Sequence, residues 1–548
     1  MKRLAIWIVV VVAAGFGLML AAGLAAKAML AGSGKDGVMG SLGQRLGVAV
    51  SAGAGGFDLL EWFRLQPAIS LENVTLGNPP GFGGKHLLEA GKISAQVRLG
   101  PLLRKRIEVR RLAVEQPRIL VESNAQGVTN VEAFLKRLSR AEAKPGSAAG
   151  EGGGGGLAID EFLVNSGEIV VSATGLRIRG IELRVLDFSS ERTCRLELAA
   201  TLFEGGESRL RLEARAGPVS PDSLPLDGKL SVLIAPAEIP SGWRQRQFGD
   251  LLRAPGKKAR ARVEASVQGD LYRSLKGPAK LALEELRVGK DEQHVLPLSG
   301  EAPLTFSATS LVSNPSFQVK IPGARLRLGQ GEWKGDAEFQ VRGSTLSGRS
   351  SGAVRSVEIN ELLGDLTAAE GKIHGRLEIP SYAVQFAGKN ADEIRNSLKG
   401  NGKLSVTQGR LAFMDLLASL EQALERAQPE APGVKGSTPF SNLASDLNLG
   451  QGRLEMSGVL LEGTGLRVNG QGTIGFDQKI NFELQAQVTG AVAGLVNRLT
   501  RRDQGQEAMV PLTVRGTLDA PQVRPNVGKL ARGAAMGLVE SLLKKRQK

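Results

Sequence analysis

The sequence predicts a mainly β protein: an N-terminal transmembrane helix followed by an elongated, bent antiparallel β-sheet, groove-like in form, with a few short helices. Three observations carry that expectation. One long apolar run, Leu4 to Ala26, stands near the N-terminus; period-two alternation of apolar and polar residues recurs through the rest of the chain; and 71 glycines with few aromatics among 548 residues favour many turns and strands over a compact aromatic core.

The apolar run reads Leu-Ala-Ile-Trp-Ile, then four valines, then Ala, Gly, Leu, Phe and Met, with no charge before Lys27. A helix of ~20 such residues spans a hydrocarbon core of ~30 Å. A secretory signal peptide is the competing reading, since Lys2 and Arg3 form a basic start and Ala26-Lys27-Ala28 has the A-x-A form. The apolar section of a signal peptide is only about 7 to 15 residues, so retention as an anchor is expected. Lys2 and Arg3 favour a cytoplasmic N-terminus with the body exported. The expected organisation is a cytoplasmic tip (1–3), a transmembrane helix (4–26), an N-terminal β module (27–140), a Gly-rich linker or loop (141–156), a long β-rich periplasmic body (157–528) and a basic amphipathic C-terminal helix (529–548).

Within the N-terminal module, Ile69 and Leu71, Val74 and Leu76, Ile93 to Leu99, and Ile107 and Val109 alternate with polar residues, placing apolar side chains on one face of each strand. Asn78, Pro79, Pro80 and Gly81 mark a turn. Val131, Phe134, Leu135 and Leu138 stand at helical spacing and predict a short helix over Asn130 to Leu138. Residues Ala141 to Gly156, with Pro145 and the run Gly152 to Gly156, bury too little apolar surface to order themselves. No Lys-Ser or Lys-Thr follows those glycines. Gly84-Lys85 lacks both the first glycine and the hydroxyl residue of a phosphate loop.

The alternation then resumes. Leu196, Leu198, Ala200 and Leu202 alternate with Arg195, Glu197, Ala199 and Thr201, and Leu210, Leu212 and Ala214 with Arg211, Glu213 and Arg215. Similar stretches lie at Leu230 to Ile234, Ala261 to Val267, Ala337 to Val341 and Leu466 to Val468. Short Gly-bearing turns between many of them favour antiparallel neighbours, and no fixed repeat period is present. Leu416, Leu420 and Leu424, widened by Leu417 and Ala423, predict an amphipathic helix over Phe413 to Ala427, packed on the sheet. From Leu530 the chain combines Leu530, Ala534, Leu538 and Leu542 with a basic ending, suited to the sheet or to a membrane surface.

The formal charge of +15 is spread along strands rather than gathered in one tract, as with Arg177 and Arg179 or Arg260 and Arg262, which reads as a solvated face, with contact to anionic lipid head groups as the alternative and no nucleic-acid partner. The single cysteine, Cys194, excludes an internal disulfide and reads as a small packing residue. His86, His294 and His374 stand far apart, offering no His-x-x-x-His metal spacing, and the pairs Glu284-Glu285 and Asp291-Glu292 read as solvated turn residues. No catalytic, metal or cofactor site is therefore expected.

The pieces together resemble the AsmA family of Gram-negative envelope proteins. The resemblance rests on the anchor, then Phe63, Leu65, Pro67, Ile69, Leu71, Val74, Leu76, Asn78, Pro79, Gly81 and Phe82 as an opening module. It continues through Pro101-Leu102-Leu103, Ile107, Leu112, Pro117, Ile119, Gly127 and Asn130, then Leu157 to Val170 with Asn165-Ser166-Gly167. Near the other end, Gly400, Gly402, Leu404 and Gly409, then Pro439-Phe440, Gly452 and Leu454, and Pro511 to Pro521 look like the closing strands. The stretch from Pro236 to Pro303 matches poorly. The resemblance implies a long bent sheet with an apolar concave face and a polar outer face, similar to bridge-like lipid-transfer proteins.

The expected function is accordingly an inner-membrane-anchored, single-pass periplasmic protein that shelters phospholipid acyl chains and assists their transport in outer-membrane biogenesis, without catalysis. Leu196, Leu198, Leu202, Leu466 and Val468 are the candidate lipid-groove residues. Burying acyl chains there is worth about 0.8 kcal/mol per methylene. Phospholipid and the inner membrane are the expected partners, with outer-membrane or periplasmic proteins as further candidates. The runner-up is a scaffold or assembly factor for outer-membrane proteins that uses strand edges or the polar face; an envelope enzyme ranks third for want of a site. Roughly 30 strands at ~4.8 Å set an upper sheet length of ~140 Å.

Overall fold

The computed structural model describes residues 40, 43, 48–58, 68–98, 108–124, 128–131, 133, 134, 137, 158–172, 175–189, 191–218, 223–248, 252, 254–289, 295–309, 316–366, 371–425, 431–500 and 508–526. The anchor expected at 4–26, the linker at 141–156 and the C-terminal helix at 529–548 lie outside these residues. Among the described residues no helix is long and apolar enough to cross a membrane.

Among the described residues twenty-six strands join in one sheet. The N-terminal part comprises β1 (Val50–Ser51), β2 (Gly55–Asp58), β3 (Ala68–Gly77), β4 (His86–Val97), β5 (Val109–Glu115), β6 (Arg118–Val121), β7 (Ala158–Val171), β8 (Leu176–Ser189), β9 (Cys194–Thr201), β10 (Arg209–Ala216) and β11 (Pro225–Ile234). The centre comprises β12 (Arg260–Asp270), β13 (Ser274–Val288), β14 (Leu296–Thr309), β15 (Ser316–Leu328), β16 (Gly331–Arg342), β17 (Thr345–Glu358), β18 (Ile373–Gly388) and β19 (Lys399–Leu411). The C-terminal part comprises β20 (Ala431–Pro432), β21 (Thr438–Gly450), β22 (Arg453–Gly463), β23 (Leu466–Gly475), β24 (Lys479–Val488), β25 (Ala508–Thr517) and β26 (Pro521–Pro525).

From β7 to β19 each strand pairs antiparallel with the next. β19 then pairs with β21, the series continues to β26, and β20 folds back onto β26. The exception to the antiparallel expectation is the pairing of β5 and β6 with β7, which is parallel. The segment 122–157 exceeds the dozen or more residues a parallel crossover needs. At ~4.8 Å per strand the contour is roughly 110 Å, because β1 with β2, and β5 with β6, each share one position in the ladder.

Register makes the alternation a property of the whole sheet. Leu71 opposes Ile93, which opposes Val114, and Val114 opposes Val164 on β7; Val164 opposes Leu183, and Leu183 opposes Leu198. Leu198 opposes Leu212, Leu212 opposes Leu230, and Leu230 opposes Ala265. The same face continues through Phe306, Val319, Phe339, Gly348 and Phe386. The opposite face carries the charges. Glu161 accepts from Arg184 at 3.0 Å and pairs with Arg111 at 3.3 Å, while Glu168 pairs with Arg118 and Arg179 at 3.5 and 3.4 Å. Arg177 and Arg179 both reach Glu204, and Arg260 pairs with Glu207, so these arginines belong to cross-strand charge ladders on a solvated face.

Glycines and bulges set the shape of the central strands. Ala324 opposes Gly335, Gly335 opposes Gly352, Gly352 opposes Tyr382 and Tyr382 opposes Gly402, which draws one line across β15 to β19. Register breaks flank that line in β14, β15, β17 and β18. A Cβ on Gly335 would sit 2.2 Å from the Ser351 carbonyl oxygen, and one on Gly352 would sit 2.3 Å from that of Lys334. The backbones therefore approach too closely there for any side chain, and bulges add local bend and twist.

Among the described residues the sheet is accompanied by α1 (Ser241–Phe248), α2 (Ile359–Leu366), α3 (Ala391–Ser397), α4 (Leu416–Glu425) and α5 (Gly490–Thr500). α4 is the helix expected over Phe413 to Ala427. It begins at Leu416 because Asp415 caps it, its carboxylate accepting from the Ala418 amide at 3.0 Å. The other four had no clear helical signal, being short or Gly-bearing. Residues Asn130, Val131, Ala133, Phe134 and Arg137 are helical, as expected.

Replacing Gly335 with Val is expected to cost about 2–3 kcal/mol through this close approach. The same change at Gly450, where no atom lies within 4 Å of an added Cβ, should leave the thermal unfolding midpoint nearly unmoved by circular dichroism.

Candidate functional site: an apolar strip between two sealed cores

Protein covers the apolar face unevenly. One core gathers buried residues from Val48 to Ala308, including Leu112, Phe162, Leu196 and Leu198. A second gathers residues from Ile359 to Val523, where α4 supplies Leu416, Leu420 and Leu424, and α5 supplies Val492, Ala493 and Val496, against Val468, Val488, Val510 and Leu512. β16 contributes to neither core.

Between the cores the apolar face is only half-buried. Phe306, Val319, Phe339, Gly348 and Phe386 form one row of direct cross-strand neighbours over β14 to β18. Val384, Gly400, Leu449, Leu454 and Ile474 form a second row over β18 to β23. All ten are half-buried; Phe306 packs against the first core and Leu454 and Ile474 against the second, so the stretch between the cores runs from Val319 to Leu449. The Phe339 and Phe386 rings, 6.5 Å apart, lie over Gly348: an added Cβ there would meet the Phe386 ring at 2.5 Å and the Phe339 ring at 3.1 Å. The two rings, tilted 50° to each other, fill the space a side chain at 348 would take.

The polar groups on this strip satisfy one another. The Trp333 indole donates to the Tyr382 hydroxyl at 2.5 Å, that hydroxyl lies 2.8 Å from Ser350 Oγ, and Ser350 Oγ donates to the Asp336 carbonyl at 3.2 Å. With the serine proton spent on Asp336, the tyrosine donates to the serine. The chain of hydrogen bonds closes on the backbone and leaves the floor effectively apolar. The polar face of the same strands is different in kind. A concavity of about 980 Å³ combines charged residues of that face, such as Lys320, Asp336, Arg349 and Lys399, with Ser350, Val384, Gly400 and Leu449 of the strip.

The five residues chosen from the sequence all lie on the apolar face and all are buried. Leu196, Leu198 and Leu202 belong to the first core, and Leu466 and Val468 to the second, so the structure does not bring them together and the protein's own side chains cover them. The half-exposed strip was missed because alternation identifies a face but not what covers it. A signal was present: Phe306, Phe317, Trp333, Phe339, Tyr382 and Phe386 concentrate scarce aromatics in a short part of the chain, interleaved with Gly335, Gly348 and Gly352.

The other residues singled out have structural places. Cys194 is buried, its thiol donates to the Ala216 carbonyl at 3.3 Å, and burial pushes its pKa up to about 11. His86 stands in β4 and His374 in β18, while His294 lies outside the described residues. Among the described residues no group of three or more His, Cys, Asp or Glu could hold a metal. Gly84 is held by protein contacts: its amide donates to Glu122 at 3.0 Å and its carbonyl accepts from Asn78 at 2.8 Å.

The fold is thus that of a long single-sheet protein with one apolar and one polar face. Residues 58–172 match the model of the AsmA family, so over that stretch the chain carries this family's module and the resemblance is borne out. No curated protein and no solved structure matches the chain. Within the matched region Asn130, fully buried, spends all its hydrogen-bonding capacity. Its amide donates to Asn78 and to the Leu120 carbonyl, both at 2.8 Å, and its oxygen accepts from the Glu122 and Val131 amides at 3.0 Å. The motif residues Asn78 and Asn130 therefore lock the β3–β4 turn to the segment that follows β6.

Asn130→Ala orphans up to four partners, one buried and three part-buried, and is expected to lower stability by about 2–4 kcal/mol, read as a shift in the urea midpoint. Cys194 makes a second prediction. Its neutral thiol is favoured in the folded state, so its contribution to stability is complete below the unfolded pKa of 9.0 and is lost as pH rises toward about 11. Alkylation at pH 8 should run roughly 100-fold slower in the native than in the denatured chain, as timed by mass spectrometry.

Proposed function

We propose that the protein is a non-enzymatic, inner-membrane-anchored lipid-handling protein of the Gram-negative envelope, whose central apolar strip shelters the acyl chains of phospholipids during transport toward the outer membrane. The observation that carries the reading is the half-buried apolar strip from Val319 to Leu449 between two sealed cores. An apolar surface of this extent in water is costly, about 25 cal/mol per Å². Acyl chains lying across the strands are an occupant of matching chemistry. The AsmA match over residues 58–172 and the apolar run at Leu4 to Ala26 support the envelope placement.

The scaffold reading needs an available strand edge or polar-face partner. Among the described residues the C-terminal edge is blunted: only Ala431 and Pro432 pair with β26, which itself begins and ends in proline. Proline at an edge disfavours addition of a further strand.

Photo-crosslinking residues placed in living cells at Val384, Phe386 and Leu454 are expected to capture phospholipid, while the same residue at Leu198 or Val468 captures none. Absence of phospholipid at all three strip positions, in protein that folds and localises normally, contradicts the proposal. Val384→Glu is expected to reduce transfer at least ~10-fold while costing only ~1 kcal/mol of stability, because the site is half-exposed.

A further inference from the structure

At the C-terminal end of the sheet, the β23–β24 turn projects Phe476 into solvent. With Met509 it is one of two large apolar side chains exposed among the described residues. The turn is well held. The Gln478 amide donates to the Gly475 carbonyl at 2.9 Å, the Phe476 amide to the Gly452 carbonyl of the neighbouring turn at 2.9 Å, and the Leu518 amide to the Gln478 carbonyl at 3.1 Å. Three adjacent turns are thereby tied together, with the phenyl ring at their rim.

Cations surround the ring. A concavity of about 920 Å³ on the polar face includes Phe476 in its lining, with Arg395, Arg453, Lys479 and Arg515 against the single carboxylate of Asp477. All four basic side chains are exposed. Arg453 pairs with Glu455 at 2.9 Å, Lys479 with Asp477 at 2.8 Å, and Arg515 donates to Asn481 at 3.1 Å. These are surface contacts, which exchange readily for other anions. One apolar ring amid exposed cations is the chemistry of a bilayer interface: the ring enters at headgroup level and the cations meet lipid phosphates.

We infer that the Phe476 turn, with Arg395, Arg453, Lys479 and Arg515, docks this end of the sheet onto an anionic phospholipid bilayer. The inference does not depend on acyl chains occupying the central strip. It concerns a different face and a different phase of lipid, an assembled membrane surface.

The test uses the full chain held in phosphatidylcholine nanodiscs, with Phe476→Cys carrying an environment-sensitive fluorophore; buried Cys194 stays unlabelled in the native protein. Vesicles of phosphatidylcholine with about one-third phosphatidylglycerol should shift the emission to the blue and raise it roughly twofold, whereas pure phosphatidylcholine vesicles should not. The same fluorophore at Gln471, exposed on the polar face of β23 away from the turn, should not respond. Arg453→Glu with Arg515→Glu should weaken the response roughly 25-fold or more in lipid concentration, from about fivefold per cation. For an independent readout, Phe476→Ser with the fluorophore at Gln451→Cys should also bind more weakly. Equal responses at 471 and 476, equal responses to neutral vesicles, or the same change on adding inorganic phosphate alone would each overturn the inference, the last by assigning the cations to a free anion.

Discussion

A strand that alternates apolar and polar residues has one face that water disfavours, and a sheet built only from such strands, held in register, extends that face across its whole width. Everything else in this protein answers the resulting need for cover. No second sheet stacks on the first among the described residues, so the usual sandwich solution is not used there. At the N-terminal end, the apolar side chains of β3 to β14 pack into one another as a core. At the C-terminal end, α4 and α5 lie on the sheet and supply the cover. Between those cores, among the described residues, Val319, Phe339, Val384, Phe386 and Leu449 stay only half-buried.

Curvature is the second half of the same physics. Flat sheets do not bring their own side chains together, and the first core therefore requires bend and twist. In the centre, the line through Gly335 and Gly352, with its flanking bulges, allows backbone approach that any Cβ there would block. The aromatic rings over Gly348 and the closed Trp333–Tyr382–Ser350 hydrogen bonds smooth and dry the floor of the strip. A surface with few protrusions suits ligands that are long, apolar and loosely specified.

Much of this was legible in the sequence, because the period-two signal is local: strand faces, turns at Asn78 to Gly81 and the α4 stripe follow from neighbouring residues. The parallel pairing of β5 and β6 with β7 was not, since it depends on how a long crossover returns. Nor was the choice between Leu198 and Phe386 as a ligand-facing position. Both alternate identically with polar neighbours, and only tertiary packing decides that Leu198 is sealed among Leu183, Leu212 and their surroundings while Phe386 is not. Of the four unanticipated helices, the short α3 is fixed by a cap, Asn390 accepting from the Glu393 amide at 2.9 Å, rather than by a periodic stripe.

The account stands on the claim that the central strip is covered by lipid rather than by protein. Cryo-electron microscopy of the full chain extracted with native lipids measures this directly. The account predicts rod-like acyl density along the row from Val319 to Phe386 and on toward Leu454, with none over Leu198 or Val468. A polypeptide segment seated on that row, or a bare row beside lipid-filled cores, would contradict it.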